Sequence, residues 1–273
     1  MAPDARDDAR RKAAAAYDAA ADAYDHPANS FWARFGQRTV ERLELPRGAR
    51  VLDVCCGSGA SAIPAARAVG PEGSVLGLDL SENLMERARR KAESLSLAQA
   101  SFRRGDLLDL GLPDGGFDAV VCVFGIFFAP DMEAAARELW RVVRPGGRLA
   151  VTTWGSQLFE PVNTVFWDSV RAVRPDLHRA FNPWDRISEP SALRALFASA
   201  GAREAEVVAE SHAHPLREPE DWWTLVMGSG YRGTVEQLEP EARARVREAC
   251  LAFVRSARVR AVEAGVVYAV ARK

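Results

Sequence analysis

The sequence lacks the features that would assign it to several common classes of protein. It contains no run of about 18 apolar residues, the length that a membrane-spanning helix requires. Its 36 Lys and Arg are balanced by 37 Asp and Glu, whereas nucleic-acid-binding proteins usually carry a basic excess. Residues Met1 to Lys12 are charged and no apolar stretch follows them, which is unlike a secretory signal. We therefore expect neither a membrane span nor a nucleic-acid partner.

Cysteine is scarce as well. The chain has four, Cys55, Cys56, Cys122 and Cys250, and the adjacent pair is poorly placed for a disulfide because neighbouring residues rarely reach the required geometry. No CxxC pair or His–Cys cluster indicates a zinc site, so we expect no metal. This pattern favours a reducing, cytoplasmic compartment.

What the sequence does contain is an alternation of short apolar runs and helical stretches between residues 50 and 154. Its 273 residues, 48% of them hydrophobic, suffice for one α/β domain with a smaller cap. Continuous apolar strands predict a parallel sheet with helices on both faces. The predicted strands are Val51–Cys55, Ser74–Asp79, Ser101–Gly105, Phe117–Phe124 and Arg148–Trp154. The predicted helices are Ala5–Tyr24, Phe31–Leu43, Ala60–Val69, one that Ser81 caps, and Asp131–Arg144.

The second half of the chain follows a different pattern. Aromatic residues, prolines and charges fill Gln157–Glu189, which we interpret as an insertion rather than another strand–helix unit. A helix over Pro190–Ala200, a strand over Arg203–His212, about fifty helical residues and a closing strand over Gly265–Arg272 follow. We predict an N-terminal helical lid over residues 1–45 and a core over 46–273, with cap insertions near 156–189 and 213–263.

A nucleoside-containing cofactor is indicated by the turn after the first predicted strand. Gly57 and Gly59 allow the backbone to approach a ligand closely between a strand and a helix. Asp79 ends the next strand, where a carboxylate can accept hydrogen bonds from a ribose diol. These residues fit NAD as well as S-adenosylmethionine (SAM), because Ala62 is tolerated as the third member of a dinucleotide fingerprint. Two further acids favour SAM: Asp53 lies inside the first strand, and Asp106 ends the third.

Four ordered blocks of sequence resemble class I SAM-dependent methyltransferases. The blocks are VLDVCCGSGASAIPAA, VLGLDLSENLMERAR, RRGDLLDLGLPDGGFDAVVCVFGIFFAPD and ELWRVVRPGGRLAVTTWG. The chain is most similar to the branch that contains the ubiquinone and menaquinone C-methyltransferases and many natural-product methyltransferases. This resemblance implies a Rossmann-like, seven-stranded mixed sheet of order 3-2-1-4-5-7-6, with the last strand antiparallel between the fifth and the sixth.

The resemblance also implies roles for individual residues. Asp53 would lie below the methionine amino group, Asp79 would bind the ribose hydroxyls, and Asp106 would hold the adenine. The other expected cofactor contacts are Tyr17 and Tyr24 from the lid, Cys55, Gly57, Gly59, Leu80, Leu107, Phe124 and Gly125. Cys55 departs from the family pattern, which often has glycine there, and leaves less room near the methionine carboxylate.

The methyl acceptor is expected to be an aromatic or apolar small molecule, because aromatic residues are frequent in the insertion and the cap. The expected acceptor contacts are Phe127, Phe128, Trp154, Phe159, Trp184, Trp222 and Trp223. The last two fit the core of the cap equally well. A general base is needed only for an acceptor that must lose a proton. The candidates are His26, His212 and His214, whereas His178 is expected to be exposed.

Three other functions remain open from the sequence. An NAD(P)-dependent oxidoreductase would share the glycine turn, but a Tyr-x-x-x-Lys pair after the fifth strand is absent. A SAM-binding protein without catalysis and a methyltransferase for RNA or protein are the other two. The neutral charge disfavours RNA. We expect a monomer or a homodimer.

Overall fold

The computed structural model describes residues 5–178 and 181–273, with side chains from Ala14 onward. Within these ranges, no helix is both long and apolar enough to cross a bilayer. The strands are β1 Arg50–Val54, β2 Ser74–Asp79, β3 Ala100–Arg104, β4 Phe117–Val123, β5 Val143–Trp154, β6 Ala205–Glu210, β7 Ala213–Pro215, β8 Ala261–Glu263 and β9 Val266–Arg272. The helices are α1 Ala5–Tyr24, α2 Phe31–Leu43, α3 Ala62–Val69, α4 Glu82–Ser94, α5 Met132–Val142, α6 Val162–Val173, α7 Pro190–Ser199, α8 Glu220–Met227, α9 Arg232–Val235 and α10 Pro240–Ser256.

Seven strands form one twisted sheet in the order β3-β2-β1-β4-β5-β9-β6. The first five pair in parallel, and β9 is antiparallel to both β5 and β6. The predicted fold class and order are confirmed. The closing strand is the ninth rather than the seventh because β7 and β8 form a separate two-stranded sheet. Strands of three residues are too short to show the alternation by which sequence reveals a strand.

Local chemistry explains where the helices over the sheet begin. The Ser81 hydroxyl accepts a hydrogen bond from the Leu84 amide at 3.2 Å and starts α4, as predicted. The Asp131 carboxylate accepts one from the Ala134 amide at 2.9 Å and starts α5. Side-chain acceptors at these positions satisfy amides that have no partner inside the helix.

The start of the fifth strand and the structure of the insertion differ from the prediction. The fifth strand begins at Val143 rather than Arg148, because Phe117 of β4 pairs with Val143 before a register shift and regular pairing resumes at Ala119 and Arg148. Pro145, Gly146 and Gly147 therefore lie within the irregular first part of β5. The insertion after β5 contains a regular helix, α6, which packs against α10.

The cap and the N-terminal helix cover one end of the sheet. α8 contacts α10, and α1 contacts α4, α8 and α9. On the sheet side, α2 lies against the turn after β1: a Cβ at Gly36 would lie only 2.3 Å from the Ala60 carbonyl oxygen. Glycine at this position lets α2 approach the turn at backbone distance. The division into lid, core and cap stays a prediction, although the chain leaves the large sheet in both expected insertions.

Candidate functional site

A cavity of about 100 Å³ opens at the carboxyl ends of the parallel strands, below α1. In open α/β sheets, ligands bind outside these strand ends where the strand order reverses. The order reverses here between β1 and β4. Most of the residues predicted to hold a cofactor line this cavity: Tyr17, Tyr24, Cys55, Gly57, Asp79, Leu80, Asp106, Leu107, Phe124 and Gly125. The two that do not, Asp53 and Gly59, lie behind it.

The backbone beside this cavity takes left-handed conformations. Cys55 has φ 61° and Phe124 has φ 55°, at the ends of β1 and β4 respectively. Such conformations cost about 1–3 kcal/mol each for residues other than glycine, and they cluster at functional sites. Gly57, at φ 52°, meets the lid: a Cβ there would lie 3.4 Å from the Tyr24 hydroxyl oxygen. Gly59 has a different role, since its added Cβ would meet α4 at Ala88 at 3.3 Å.

The Asp79 carboxylate is fixed at the end of β2 by two backbone amides. Its Oδ2 accepts a hydrogen bond from the Gly57 amide and its Oδ1 accepts one from the Ser81 amide, both at 2.8 Å. Burial raises the pKa of Asp79, and these hydrogen bonds oppose that rise. Because each carboxylate oxygen has two lone pairs, Asp79 retains acceptor capacity for hydroxyl groups in the cavity.

Asp53 is fully buried beneath the same turn. Its Oδ2 accepts a hydrogen bond from the Ser61 hydroxyl at 2.7 Å, whereas its Oδ1 has no hydrogen-bond partner in the protein. Burial, reinforced by the charge of Asp79, raises the pKa of Asp53 to about 7. A buried carboxylate oxygen without a partner is unfavourable, and a cationic donor such as an ammonium group would relieve it directly or through a water molecule.

The loop after β3 forms the opposite wall of this cavity. Asp106 is half-buried, and its Oδ1 accepts a hydrogen bond from the Leu108 amide at 3.1 Å, which fixes the loop. Leu107 is buried and Leu80 half-buried, and both line the cavity with Asp106. One carboxylate between two leucines suits a flat ring that has an amino group on its edge.

The N-terminal helix is held over the cavity by polar contacts with α4 and the turn before it. Asp18 accepts a hydrogen bond from the Ser81 hydroxyl, and Asp25 accepts one from the Lys91 ammonium, both at 2.5 Å. These contacts place Tyr17 in the wall of the cavity. Burial and the charge of Asp79 raise the pKa of Tyr17, so its phenol stays protonated and can donate a hydrogen bond.

A second, larger cavity of about 720 Å³ lies beside the first and below the cap. The predicted acceptor contacts that line it are Phe127, Phe128, Trp154, Phe159 and Trp184. Tyr17, Trp32 and Phe128 line both cavities, and we call these three side chains the aromatic partition. The two cavities therefore meet at a wall of three aromatic rings.

The other two predicted acceptor contacts, Trp222 and Trp223, line neither cavity. Trp222 is fully buried, and its ring centroid lies 6.3 Å from Phe159 and 6.5 Å from Phe166. Trp223 is half-buried and packs against the same apolar core. Of the two interpretations that the sequence left open, the geometry matches packing in the cap.

None of the three predicted histidines lines either cavity. His26 is exposed, and its Nδ1 accepts a hydrogen bond from the Ala28 amide at 3.1 Å. His214 is buried with its Nε2 2.8 Å from the Ala28 carbonyl oxygen, and burial lowers its pKa. His212 packs edge-on against Phe35, with ring centroids 5.5 Å apart.

Two residues that sequence reasoning missed lie in the cavities. His178 is half-buried rather than exposed; it lines the second cavity and packs edge-on against Trp167, with ring centroids 6.2 Å apart. Its position depends on how the insertion folds, which no local pattern encodes. Trp32 of the aromatic partition is on α2, and the helical spacing of its buried neighbours Phe31 and Phe35 was the available signal.

The described ranges contain no group of three or more His, Cys, Asp or Glu side chains arranged to hold a metal ion. All four cysteines are free thiols. Cys55 is half-buried in the wall of the first cavity, and Cys56 is buried behind it.

Comparison with known proteins agrees with this geometry. Residues 51–147 match a family model described as a methyltransferase domain. The demethylmenaquinone methyltransferase of Listeria welshimeri is 38% identical over 117 residues, which cover 43% of this chain and 50% of that protein. The chain thus matches about half the length of the curated relatives. The predicted resemblance to class I SAM-dependent methyltransferases of the quinone branch is confirmed.

Solved structures support the same fold. The YcgJ protein from Bacillus subtilis superposes with a TM-score of 0.55 at 19% identity, covering 88% of this chain and 99% of that one. The phosphoethanolamine N-methyltransferase 2 of Haemonchus contortus, in complex with S-adenosyl-L-methionine, gives 0.55 at 16% identity, covering 88% and 52%. At this identity the likeness shows the fold.

The raised pKa of Asp53 predicts a specific dependence of stability on pH. Between about pH 4 and 7, the unfolded chain loses this proton while the folded protein keeps it, so the free energy of unfolding falls as pH rises. Asp53→Asn removes this titration. We expect the free energy of unfolding of the variant, relative to that of wild type, to increase by on the order of 2 kcal/mol between about pH 5 and 8. Urea unfolding without ligand measures this difference.

The matched control is Asp131→Asn, at an exposed helix cap. Asp131 lies at the surface, outside the buried turn, so the difference in free energy of unfolding between this control and wild type should stay constant over that pH range. An equally constant offset for Asp53→Asn would contradict the burial assigned to Asp53.

Proposed function

We propose that the protein transfers a methyl group from SAM to an aromatic or apolar small molecule. The observation that carries this proposal is the contact between two cavities across the aromatic partition. One cavity has carboxylates suited to a nucleoside and an ammonium group, and the other is lined by aromatic rings. A donor and an acceptor held on either side of Tyr17, Trp32 and Phe128 would meet there.

The first cavity fits the parts of SAM. Asp79 would accept hydrogen bonds from the ribose hydroxyls, and Asp106 would accept one from the adenine amino group. Asp53 Oδ1, which has no hydrogen-bond partner in the protein, would accept a hydrogen bond from the methionine ammonium directly or through a water molecule. The solved methyltransferase with SAM bound has the same fold, which supports the choice of this cofactor over a dinucleotide.

When bound, SAM supplies an electrophilic methyl group on a sulfonium ion. The chain's own contribution is to orient the reactants and exclude water. The Phe124 ring stacks on Trp154 at 3.8 Å between centroids, and both rings are buried beside the partition. Rings held this tightly leave little room for water and restrict how an acceptor enters. Such positioning lowers barriers by about 7 kcal/mol or more in favourable cases.

For the acceptor, we propose a reduced quinone or a similar hydroxylated aromatic ring. The curated relatives are demethylmenaquinone methyltransferases, and flat rings pack well among aromatic side chains. The same cavity has polar groups: the Tyr231 hydroxyl donates a hydrogen bond to Asn163 Oδ1 at 2.8 Å, and His178 and Asp176 lie in its wall. An acceptor with both a ring and oxygen atoms would use both kinds of surface.

The direct test is transfer of radiolabelled methyl from SAM to 1,4-naphthoquinol, with a panel of phenols, amines and apolar aromatics as comparison. We expect labelled product from a hydroxylated aromatic ring. Binding of S-adenosylhomocysteine without transfer to any member of the panel would contradict the proposed acceptor class. Absence of binding as well would contradict the methyltransferase assignment.

We propose His178 as the general base for an acceptor that loses a proton. It is the histidine that the described structure places in the acceptor cavity, and neutral imidazole can accept a phenolic or ring-carbon proton. His178→Gln should lower kcat by about 10²-fold or more at neutral pH. S-adenosylhomocysteine affinity, measured by calorimetry, should stay unchanged.

His212→Gln is the matched control, because His212 lies outside both cavities. It should leave kcat at its wild-type value. Equal losses of kcat in the two variants would indicate a general effect on folding, and an unchanged kcat in His178→Gln would remove His178 from the reaction.

A further inference from the structure

Trp32 lies where the two cavities meet and is in contact with the cap. Its side chain is buried at 6% exposure and lines both cavities. Its ring stacks on Tyr24 of the lid at 4.8 Å with an interplanar angle of 6°, and meets Trp154 of β5 at 5.6 Å. The ring is therefore fixed by the lid on one face and by the sheet at its edge.

The indole nitrogen of Trp32 makes a long-range contact. Nε1 donates a hydrogen bond to the Gly228 carbonyl at 3.2 Å, in a buried setting. Gly228 directly follows α8, and the next three residues, Ser229, Gly230 and Tyr231, line the acceptor cavity. One side chain thus contacts the cofactor cavity through its ring and holds the wall of the acceptor cavity through its nitrogen.

Two further contacts join the same turn to the lid. Asn29 Nδ2 donates to the Ala23 carbonyl at 2.8 Å and to the Thr224 carbonyl at 3.2 Å, which links the end of α1 to α8. Gly228 leaves space for this amide, since a Cβ there would lie 2.0 Å from Asn29 Nδ2. The turn after α8 is therefore packed against the lid with no spare volume, so a change on one side must affect the other.

We propose that Trp32 is a positioning residue that couples the two cavities: a cofactor packed against its ring fixes the hydrogen bond to Gly228 and thereby orders the wall of the acceptor cavity. This inference rests on the proposed function, since it requires S-adenosylhomocysteine or SAM in the first cavity. Binding that orders a segment in advance lowers the ordering cost for a second ligand, and such coupling is reciprocal.

The test is hydrogen–deuterium exchange with and without S-adenosylhomocysteine, alongside calorimetric measurement of its affinity. In wild type, we expect the ligand to slow exchange in peptides covering residues 220–235 as well as in α4. Trp32→Phe retains a ring in the partition and removes the N–H donor. In this variant, ligand-induced protection of residues 220–235 should fall at least about threefold, while protection of α4 persists.

The matched control is Trp223→Phe, which makes the same change on α8 outside both cavities and should keep wild-type protection. If Trp32→Phe does not fold, Trp32→Tyr serves as the second variant and is judged by the same comparison. Full protection of 220–235 in a folded Trp32 variant overturns the coupling, as does ligand binding to wild type that protects α4 but not 220–235. Absence of ligand binding to wild type instead overturns the proposed function, and this inference with it.

Discussion

The hydrogen bond between the Gly57 amide and the Asp79 carboxylate joins the turn after β1 to the end of β2. The first cavity depends on this contact, because the contact fixes a carboxylate at the strand ends and holds the Gly57 backbone, which has φ 52°. Asp53 is buried beneath the turn, α2 packs against it through Gly36, and the lid lies above it. A change in the turn would therefore alter the packing of Asp53, α2 and the lid together.

The second constraint is the aromatic partition, the three rings that line both cavities. Three rings separate the two cavities, and each ring belongs to a different part of the fold: Tyr17 to α1, Trp32 to α2 and Phe128 to the segment after β4. The partition is complete only when α1, α2 and the segment after β4 are all in place.

Sequence reasoning worked best where chemistry repeats locally. The strand periodicity, the Ser81 cap and the glycine turn are encoded within a few residues, and the sheet order followed from the family resemblance. It was weakest in the cap, where function depends on which helix faces which cavity. Trp222 and His178 both lie in aromatic, charged stretches of the sequence. Trp222 nevertheless packs in the core of the cap, whereas His178 lines the second cavity. Long-range packing, which no spacing rule captures, decides between such outcomes.

The most direct test of the central claim is calorimetric titration of the wild-type protein with S-adenosylhomocysteine and, separately, NADH, repeated with Asp79→Ala. The geometry of the first cavity predicts micromolar binding of S-adenosylhomocysteine, loss of that binding in the variant, and no binding of NADH. Preference for NADH, or S-adenosylhomocysteine affinity that does not depend on Asp79, would contradict the assignment of this cavity.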